Sequence, residues 1–457
     1  MALVTHLPLK VPKSCDLGRA LTEHLQQRFH PRPVPPPALA FAREVHETRA
    51  QLERVESLTD LTAEDATAQY VRQENKLARL QSRFDQRGLV LGLKFRWREA
   101  WKPRAKAEQG DLEWERACLL FDAGAALSYS AARAQARGAR DGGLKEAVNK
   151  FQQAALALSL AYDIVKPAIW GLTPRWGPKE IGVDMSLELL GALKELMLAQ
   201  AQRAFYEKAA LEGLKDAVVA KLAAAAADGF VSALREINKR PEVVEHLEEK
   251  GGLFSAADRS FVARIEAAER AMAALAQQHA AKAAAEEYDY GNQVARLAAG
   301  ALAASEAAAA AKDLKGDDKR YCDELTAKLN AEHAHAHREN ENIYREPVPP
   351  AAALPPLEAK KVVKLADVLP FATTSPSARS SGREEDPLAG LLPASLAASL
   401  AQHTAAVDAL LHKLSAQASE DTAATQRRLQ QLHLPHALDA CSTDKVLPEA
   451  LLAKIRE

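Results

Sequence analysis

The sequence predicts a mostly α-helical protein: a solenoid of antiparallel helix pairs, with a small N-terminal β-sheet and a helical C-terminal segment. Apolar residues recur at spacings of three and four along most of the chain, the period of an amphipathic helix. Only 5% of the 457 residues are aromatic, while alanine and leucine abound, which favours closely packed helices over a β-sandwich. Short polar joints at 139–143, 211–213 and 315–318 require antiparallel neighbours.

Two short segments alternate with a period of two and therefore predict strands. In the first, the residues that share one side are Leu3, Thr5, Leu7, Leu9 and Val11. His6 and Lys10 fall on the other side, and Pro8 favours a sheet edge. In the second, the residues that share a face are Leu91, Leu93, Phe95 and Trp97. Two or three such strands are enough for a small sheet.

The first helix is predicted to begin at the cap residue Asp16, because Leu17, Leu21 and Leu25 follow at four-residue spacing. Further helices are predicted at 38–56, 62–86, 111–137, 144–165, 184–211, 215–238, 255–312 and 316–344. The stretch 255–312 should break once, near 288–291. No clean repeat occurs at the tetratricopeptide period, so the helix pairs are expected to be degenerate copies.

The composition changes after Glu346, where prolines between 347 and 356 exclude a helix. The Ser- and Thr-rich stretch 373–382 and the acidic 384–386 predict a flexible linker. Helical pattern resumes from 392 to about 432, with an apolar stripe typical of a coiled coil, which needs a partner. The stripe consists of Leu396, Leu400, Val407, Leu410, Leu411 and Leu414.

Charge and cysteine usage narrow the functional classes. The formal net charge is -1, so nucleic acid or anionic lipid would have to meet a local basic patch. The isolated cysteines predict a reducing, cytosolic setting; they are Cys15, Cys118, Cys322 and Cys441. We find no signal peptide and no run of about 18 uncharged apolar residues that would span a bilayer, and we expect a soluble protein.

No linear signature of catalysis or nucleotide binding is present, so we expect no enzyme activity and no cofactor. His333 and His337 lie at a spacing that suits zinc on a helix, but no third ligand is near, and we favour an exposed histidine-rich face without metal. Five tryptophans are better explained by packing than by nucleic-acid stacking. The basic residues Lys94, Arg96, Arg98, Lys102, Arg104 and Lys106 fit either an anionic membrane or the polar face of a half-buried strand.

The segment from Met185 to Asn238 carries the main candidate site. An apolar stripe runs from Leu187 to Phe205 on the first of its two predicted helices. On the second helix Val218, Lys221 and Leu222 share a face. An apolar surface flanked by lysine suits an amphipathic partner helix with acidic edges. From the pattern alone, Val218 and Leu222 are better explained as core residues.

Several segments resemble the Bro domain of the Alix family, in order and at consistent spacing. They are 7–10, 16–17, 117–126, 143–147, 197–206, 214–222 and 341–349, and 392–400 with 432–435 resembles the start of the V-shaped domain that follows. The resemblance implies a Bro domain at 1–368, a flexible linker at 369–391 and a partial V-like helical arm at 392–457. It also implies a curved solenoid of tetratricopeptide-like pairs.

The family's activity is adaptor binding: a concave face accepts the C-terminal amphipathic helix of Snf-type ESCRT-III subunits, the charged multivesicular body proteins. By resemblance, Phe205, Val218 and Leu222 form the apolar floor here, and the polar margin consists of Asp141, Lys145 and Lys221. Tyr344 matches a tyrosine reported as a kinase target and precedes prolines in a predicted loop, but a tyrosine packed against the last helix fits the sequence equally well. These matches imply a cytoplasmic protein, recruited peripherally to endosomes.

Two departures from the family limit these expectations. The polar loop 102–111 lacks the Phe-Gly-Gly that Alix carries there, and the V-like region stops at Glu457. The partners attributed to that loop and to the proline-rich tail are therefore not expected. Two other functions stay open: a membrane-binding or membrane-shaping helical module, and an ambient-pH signalling scaffold with the same ESCRT-III contact.

Overall fold

The computed structural model describes residues 3–29, 33–55, 57–59, 62–83, 91–138, 140–248, 261–371, 387–388, 394–432 and 449–456. Chain contacts divide the protein into two compact units, Met1–Gly390 and Leu391–Glu457. Most of the predicted linker 369–391, and Cys441, lie outside the described residues. The assignment of a Bro domain, a linker and a V-like arm stays a prediction.

The first unit is mostly helical, as predicted. Its helices are α1 (Leu17–Phe29), α2 (Pro36–Leu52), α3 (Ala63–Gln81), α4 (Leu112–Ala136), α5 (Gly143–Trp170), α6 (Leu187–Leu211), α7 (Asp216–Ile237), α8 (Pro241–Glu248), α9 (Phe261–Glu286), α10 (Tyr290–Ala310) and α11 (Asp317–Glu339). Asp16 caps α1 as predicted, because its Oδ1 accepts from the Arg19 amide at 3.1 Å. Helix α8 was not predicted, since eight residues are too few to show a clear apolar period.

Consecutive helices pack against one another in a continuous series. Helices α3 to α7 each contact the next, α7 contacts α9, and α9, α10 and α11 follow in turn. The tight joints rely on glycines with positive φ, at Gly142 (70°) and Gly213 (71°), a conformation that glycine adopts without steric cost. The predicted solenoid of antiparallel pairs is therefore confirmed, and so is the break near 288–291, where Tyr288 has φ of 63°.

Helix α7 is the one described helix that is long and apolar enough to cross a membrane. Half of its most apolar window is buried, and it packs between α6 and α9. The core helix of a folded unit can be equally long and apolar, and Lys221 and Asp228 interrupt the apolar run of α7. The packing therefore accounts for the composition of α7.

The small sheet has three antiparallel strands in the order β1 (Val11–Pro12), β2 (Phe95–Arg98) and β3 (Lys106–Gln109). In the register, Val11 lies opposite Arg98, and Trp97 lies opposite Ala107. The predicted sheet is confirmed, but both predicted strands are shorter than expected. Buried Phe95 and Trp97 share the inner face as predicted, whereas Leu91 and Leu93 precede the strand.

Residues 3–10 form no strand, although their alternation predicted one. The backbone amides of this segment bond to buried side chains of the helices: Thr5 N–H donates to Gln200 Oε1 at 2.7 Å, and Lys10 N–H donates to Asp122 Oδ1 at 2.8 Å. The placement of Lys10 on the opposite side from the buried residues was wrong, because its side chain is fully buried. Its ammonium pairs with Asp184.

The second unit contains α12 (Ala394–Gln431) and α13 (Glu449–Arg456). The side chain of Leu396, the first residue of the predicted apolar stripe of α12, is not described. The other stripe residues are exposed: Leu400, Val407, Leu410, Leu411 and Leu414. Its need for a partner stays a prediction. Helix α13 was not predicted.

Candidate partner-binding site

An irregular segment, residues 355–366, crosses the helices of the first unit, and we call it the strap. Arg296 of α10 donates to the carbonyl of Pro355 at its start. Lys360 N–H then donates to the Lys221 carbonyl of α7 at 2.9 Å, and Ala366 N–H donates to the Gln152 carbonyl of α5 at 3.4 Å. The strap therefore passes over α10, α7 and α5 on one face.

Gln202 of α6 clamps the strap at its middle. Its side chain is 1% exposed. Its Nε2 donates to the carbonyls of Leu222 (3.2 Å) and Lys360 (3.1 Å), and its Oε1 accepts from the amides of Val362 (3.1 Å) and Val363 (3.4 Å). One buried amide thus joins α6, α7 and the strap, which satisfies its own donors and acceptor.

The strap bonds to the three helices that carry most of the predicted site residues, α5, α6 and α7. Phe205 follows Gln202 by three residues, and Val218 precedes Lys221 by three. Lys145 precedes Gln152 by seven. Helical residues at spacings of three, four and seven share a face, and α5, α6 and α7 are consecutive neighbours. This spacing is consistent with the prediction that these residues share one surface, beside the strap, and that arrangement stays a prediction.

The apolar floor differs from the prediction at one position. Phe205 and Val218 are half-buried, so each presents part of its side chain, and we call these two residues the apolar patch. Leu222 is 1% exposed, and it lies in the turn of α7 where the strap and Gln202 bond to the backbone. Leu222 supports this turn from within the core, and its direct contact with a partner stays a prediction.

The polar margin is built from two different helix ends. Lys145 is exposed on the first turn of α5, and Asp141 is exposed in the preceding turn, with φ of 51°. Lys221 Nζ lies 2.9 Å from Glu358 Oε2 of the strap. The hydrogen bond from Lys221 holds the pKa of the Glu358 carboxyl below its usual range.

A cavity of about 150 Å³ lies between α6, α7 and the strap. The lining residues include Leu198, Gln202, Ala225, Gly229 and Val363, with Glu195 and Asp228 also present. A Cβ on Gly229 would lie 2.9 Å from the Cβ of Ala199, so glycine lets α6 and α7 approach closely here. The strap crosses a closely packed helix pair, not a wide groove.

Tyr344 lies in the turn after α11 and is 39% exposed. Its ring stacks on Tyr290 of α10 with centroids 3.4 Å apart and planes at 11°. The side chain is therefore partly accessible and held by its neighbour, so its modification by a kinase stays a prediction.

Among the described residues, one group has metal-ligating geometry: Glu99, Asp184 and His246, with ligand atoms within 4.8 Å of one another. The ammonium of Lys10 already balances charge in this group, because Lys10 Nζ lies 3.0 Å from Asp184 Oδ2. His246 Nε2 lies 2.6 Å from Asp184 Oδ1. Burial would raise the pKa of Asp184, but the charge of Lys10 and the hydrogen bond with His246 lower it to about 2. We interpret this group as a buried ion network that ties the N-terminal segment to α8.

The other sequence candidates lie on α11 and in the sheet region. His333 and His337 of α11 have ring centroids 5.9 Å apart, and His337 Nδ1 lies 3.3 Å from Glu341. In the sheet, Lys94 and Arg96 both pair with Glu108, which neutralises part of the predicted basic run.

Sequence reasoning missed the strap, Gln202 and Glu358. A proline-rich stretch without apolar period carries no sign of where it docks. The one available signal was Val362-Val363, an apolar pair between lysines, of which Val363 is buried.

Comparison with known proteins adds a family to this geometry. The family model described as BRO1-like domain matches residues 4–411. The human programmed cell death 6-interacting protein is 27% identical over 466 residues, which cover 100% of this chain and 49% of that protein. The pH-response regulator protein palA/RIM20 of Emericella nidulans is 29% identical over 388 residues, 80% of this chain and 41% of that protein. This chain therefore spans about half the length of the human protein and less than half the length of the fungal protein.

The fold is also similar to a solved complex. The structure of the ALIX BRO1 CHMP4C complex has a TM-score of 0.64 and 25% identity, with 80% of this chain and 96% of that chain covered. The match supports the same arrangement of helices and sheet in this protein.

Proposed function

The chain belongs to the BRO1-like domain family, and we propose that it is a non-catalytic adaptor of the ESCRT machinery. In this proposal it binds the C-terminal amphipathic helix of Snf-type ESCRT-III subunits, in the cytoplasm and at endosomes. The observation that carries the proposal is the half-buried apolar patch, Phe205 and Val218, together with exposed Lys145 on α5 and with Lys221 one turn from Val218 on α7. The similar fold solved with CHMP4C supports it.

The mechanism is burial of the apolar stripe of a partner helix on the apolar patch. Burial of apolar area supplies the affinity, while the lysines at the margin steer a helix with acidic edges into place. Hot-spot behaviour places most of the binding energy on the few central apolar residues. Asp141 and Lys145 then set orientation and association rate more than affinity.

The test is titration of this protein into a fluorescent peptide of an ESCRT-III C-terminal helix. The matched control is the same peptide with its apolar stripe replaced by serine, which keeps the charges. The proposal requires saturable binding of the first peptide and loss of binding of the second. Equal binding of both peptides would mean that charge alone drives the contact, and absence of binding would refute the proposal.

The similarity to a pH-response regulator supports one second candidate, a scaffold for ambient-pH signalling. That function uses the same face and the same ESCRT-III contact, so the peptide titration does not separate it from the first. Co-purification of a protease with the intact protein would favour it.

The membrane-binding alternative rests on exposed Lys94, Arg96, Arg104 and Lys106 of the sheet region. It requires sedimentation with anionic vesicles that weakens as salt rises.

A further inference from the structure

The strap places a carboxylate of the protein itself on the lysine of the candidate site. We infer that Glu358 holds, in the free protein, the position on Lys221 that an acidic side chain of the docking helix takes in the complex. This inference rests on the proposed function. The inference specifies the partner helix further: this helix carries a carboxylate about one helical turn from the apolar residues that cover the patch.

The position of Lys221 supports this assignment. Lys221 lies one turn from Val218 on α7, so a group that bonds to its ammonium lies beside the apolar patch. The ammonium is already engaged by Glu358 Oε2 at 2.9 Å. An acidic partner therefore meets an occupied lysine, and the two carboxylates compete for one cation.

The strap backbone is anchored beside Lys221, so a partner carboxylate can replace Glu358 on Lys221 while the backbone stays in place. Lys360, two residues after Glu358, is bonded through its amide to the Lys221 carbonyl and through its carbonyl to Gln202. The Glu358 side chain itself is 84% exposed and can leave the lysine by rotation, without movement of the strap. The backbone keeps Glu358 close to Lys221, which raises its effective concentration as a competitor.

The expected change in peptide affinity is small because the Lys221–Glu358 pair is exposed to solvent. The Lys221 side chain is 44% exposed, so solvent screens the pair and its removal changes affinity about two- to fivefold. The effect should shrink at high ionic strength, because exposed charges are screened by salt. A buried pair would predict a much larger change.

The experiment is a double-mutant cycle on the ESCRT-III peptide titration, with wild type, Glu358→Gln, Lys221→Gln and the double variant. We expect Glu358→Gln to tighten binding about two- to fivefold at low salt, and to change nothing when Lys221→Gln is already present. The matched control is Asp367→Asn, an equally exposed carboxylate (86%) directly after the strap that pairs with Lys364 at 3.2 Å. It makes the same charge change and should leave affinity unaltered.

A second readout does not depend on the peptide. The rate at which a small acylating reagent labels Lys221, followed by mass spectrometry, should rise in Glu358→Gln and not in Asp367→Asn. An unchanged rate overturns the inference. The inference is also overturned if Glu358→Gln tightens peptide binding in the Lys221→Gln background. It is equally overturned if the wild type and Glu358→Gln both bind the peptide with the same affinity. If the wild type does not bind the peptide at all, the proposed function fails, and this inference fails with it.

Discussion

The ammonium of Lys10 lies 3.0 Å from the carboxylate of Asp184, and both side chains are fully buried. The pair joins the N-terminal segment to the loop before α6. Asp184 also bonds to His246 of α8 at 2.6 Å. Sequence neighbours of Lys10 gave no sign of this partner, which is supplied from a distant part of the chain.

Removal of one charge from this pair should destabilise the fold strongly. The variant Asp184→Asn removes the carboxylate that pairs with the fully buried Lys10 ammonium, and breaking such a buried pair typically costs about 3–5 kcal/mol. The free energy of unfolding, measured by urea denaturation, reports the loss. The control is Glu23→Gln, which removes an exposed pair with Arg19 and should leave the midpoint unchanged. Similar midpoints for both variants would show that the network contributes little.

The same carboxyl predicts an acid-dependent loss of stability. The pKa of Asp184 is lowered from 3.8 to about 2 in the fold, so its contribution of about 2 kcal/mol is present above about pH 4 and disappears as pH falls toward 2. The unfolding free energy of the wild type should therefore fall more steeply over this interval than that of Asp184→Asn. Parallel curves for the two proteins would contradict the assignment.

Gln202 should control the local stability of the strap. In Gln202→Leu the amides of Val362 and Val363 lose their acceptor, and each lost hydrogen bond is worth about 1 kcal/mol. Hydrogen exchange at these amides should quicken by about tenfold or more. The control Gln152→Leu keeps its strap contact, because that bond uses the main-chain oxygen. Unchanged exchange in Gln202→Leu would exclude the clamp.

The stack on Tyr290 should limit access of a kinase to Tyr344. Aromatic pairs contribute about 0.5–1.5 kcal/mol, so Tyr290→Ala should raise the initial rate of Tyr344 phosphorylation by a purified tyrosine kinase by up to about tenfold. Tyr288→Ala, a change at a neighbouring and 75% exposed ring, is the control. Equal rates for the two variants would show that the stack does not govern access.

The sequence predicted the helices well, because leucines and alanines at spacings of three and four record which face of each helix is buried. The cap at Asp16 and the break at Tyr288 were predictable for similar local reasons. The N-terminal alternation predicted a strand at residues 3–10 that does not form. Its backbone amides donate to buried polar side chains such as Gln200 and Asp122 and not to a neighbouring strand. Short α8 had too few residues to show a period.

The candidate site was predictable only in part. Spacing placed Phe205 and Val218 on helix faces, and resemblance proposed their role. Leu222 is buried in the turn of α7 to which the strap bonds, and the strap comes from a distant, proline-rich part of the sequence. For the same reason the competition between Glu358 and a partner could not be inferred before the fold was known.

The burial of Leu222 also changes which substitution tests the site. A charge at Leu222 would enter the core and unfold α7, so loss of binding there would not identify a contact. Val218 is half-buried on the outer face and tolerates a charge better. Val231 lies on the same helix and is 38% exposed, and it provides the same Val→Asp change away from the patch.

The central claim is therefore tested most directly by the affinity of Val218→Asp and Val231→Asp for the ESCRT-III helix peptide, with circular dichroism to show that both are folded. We predict that Val218→Asp weakens binding by at least about thirtyfold, as for a hot-spot residue, while Val231→Asp binds like the wild type. Wild-type affinity in a folded Val218→Asp protein would contradict the account and place the partner elsewhere.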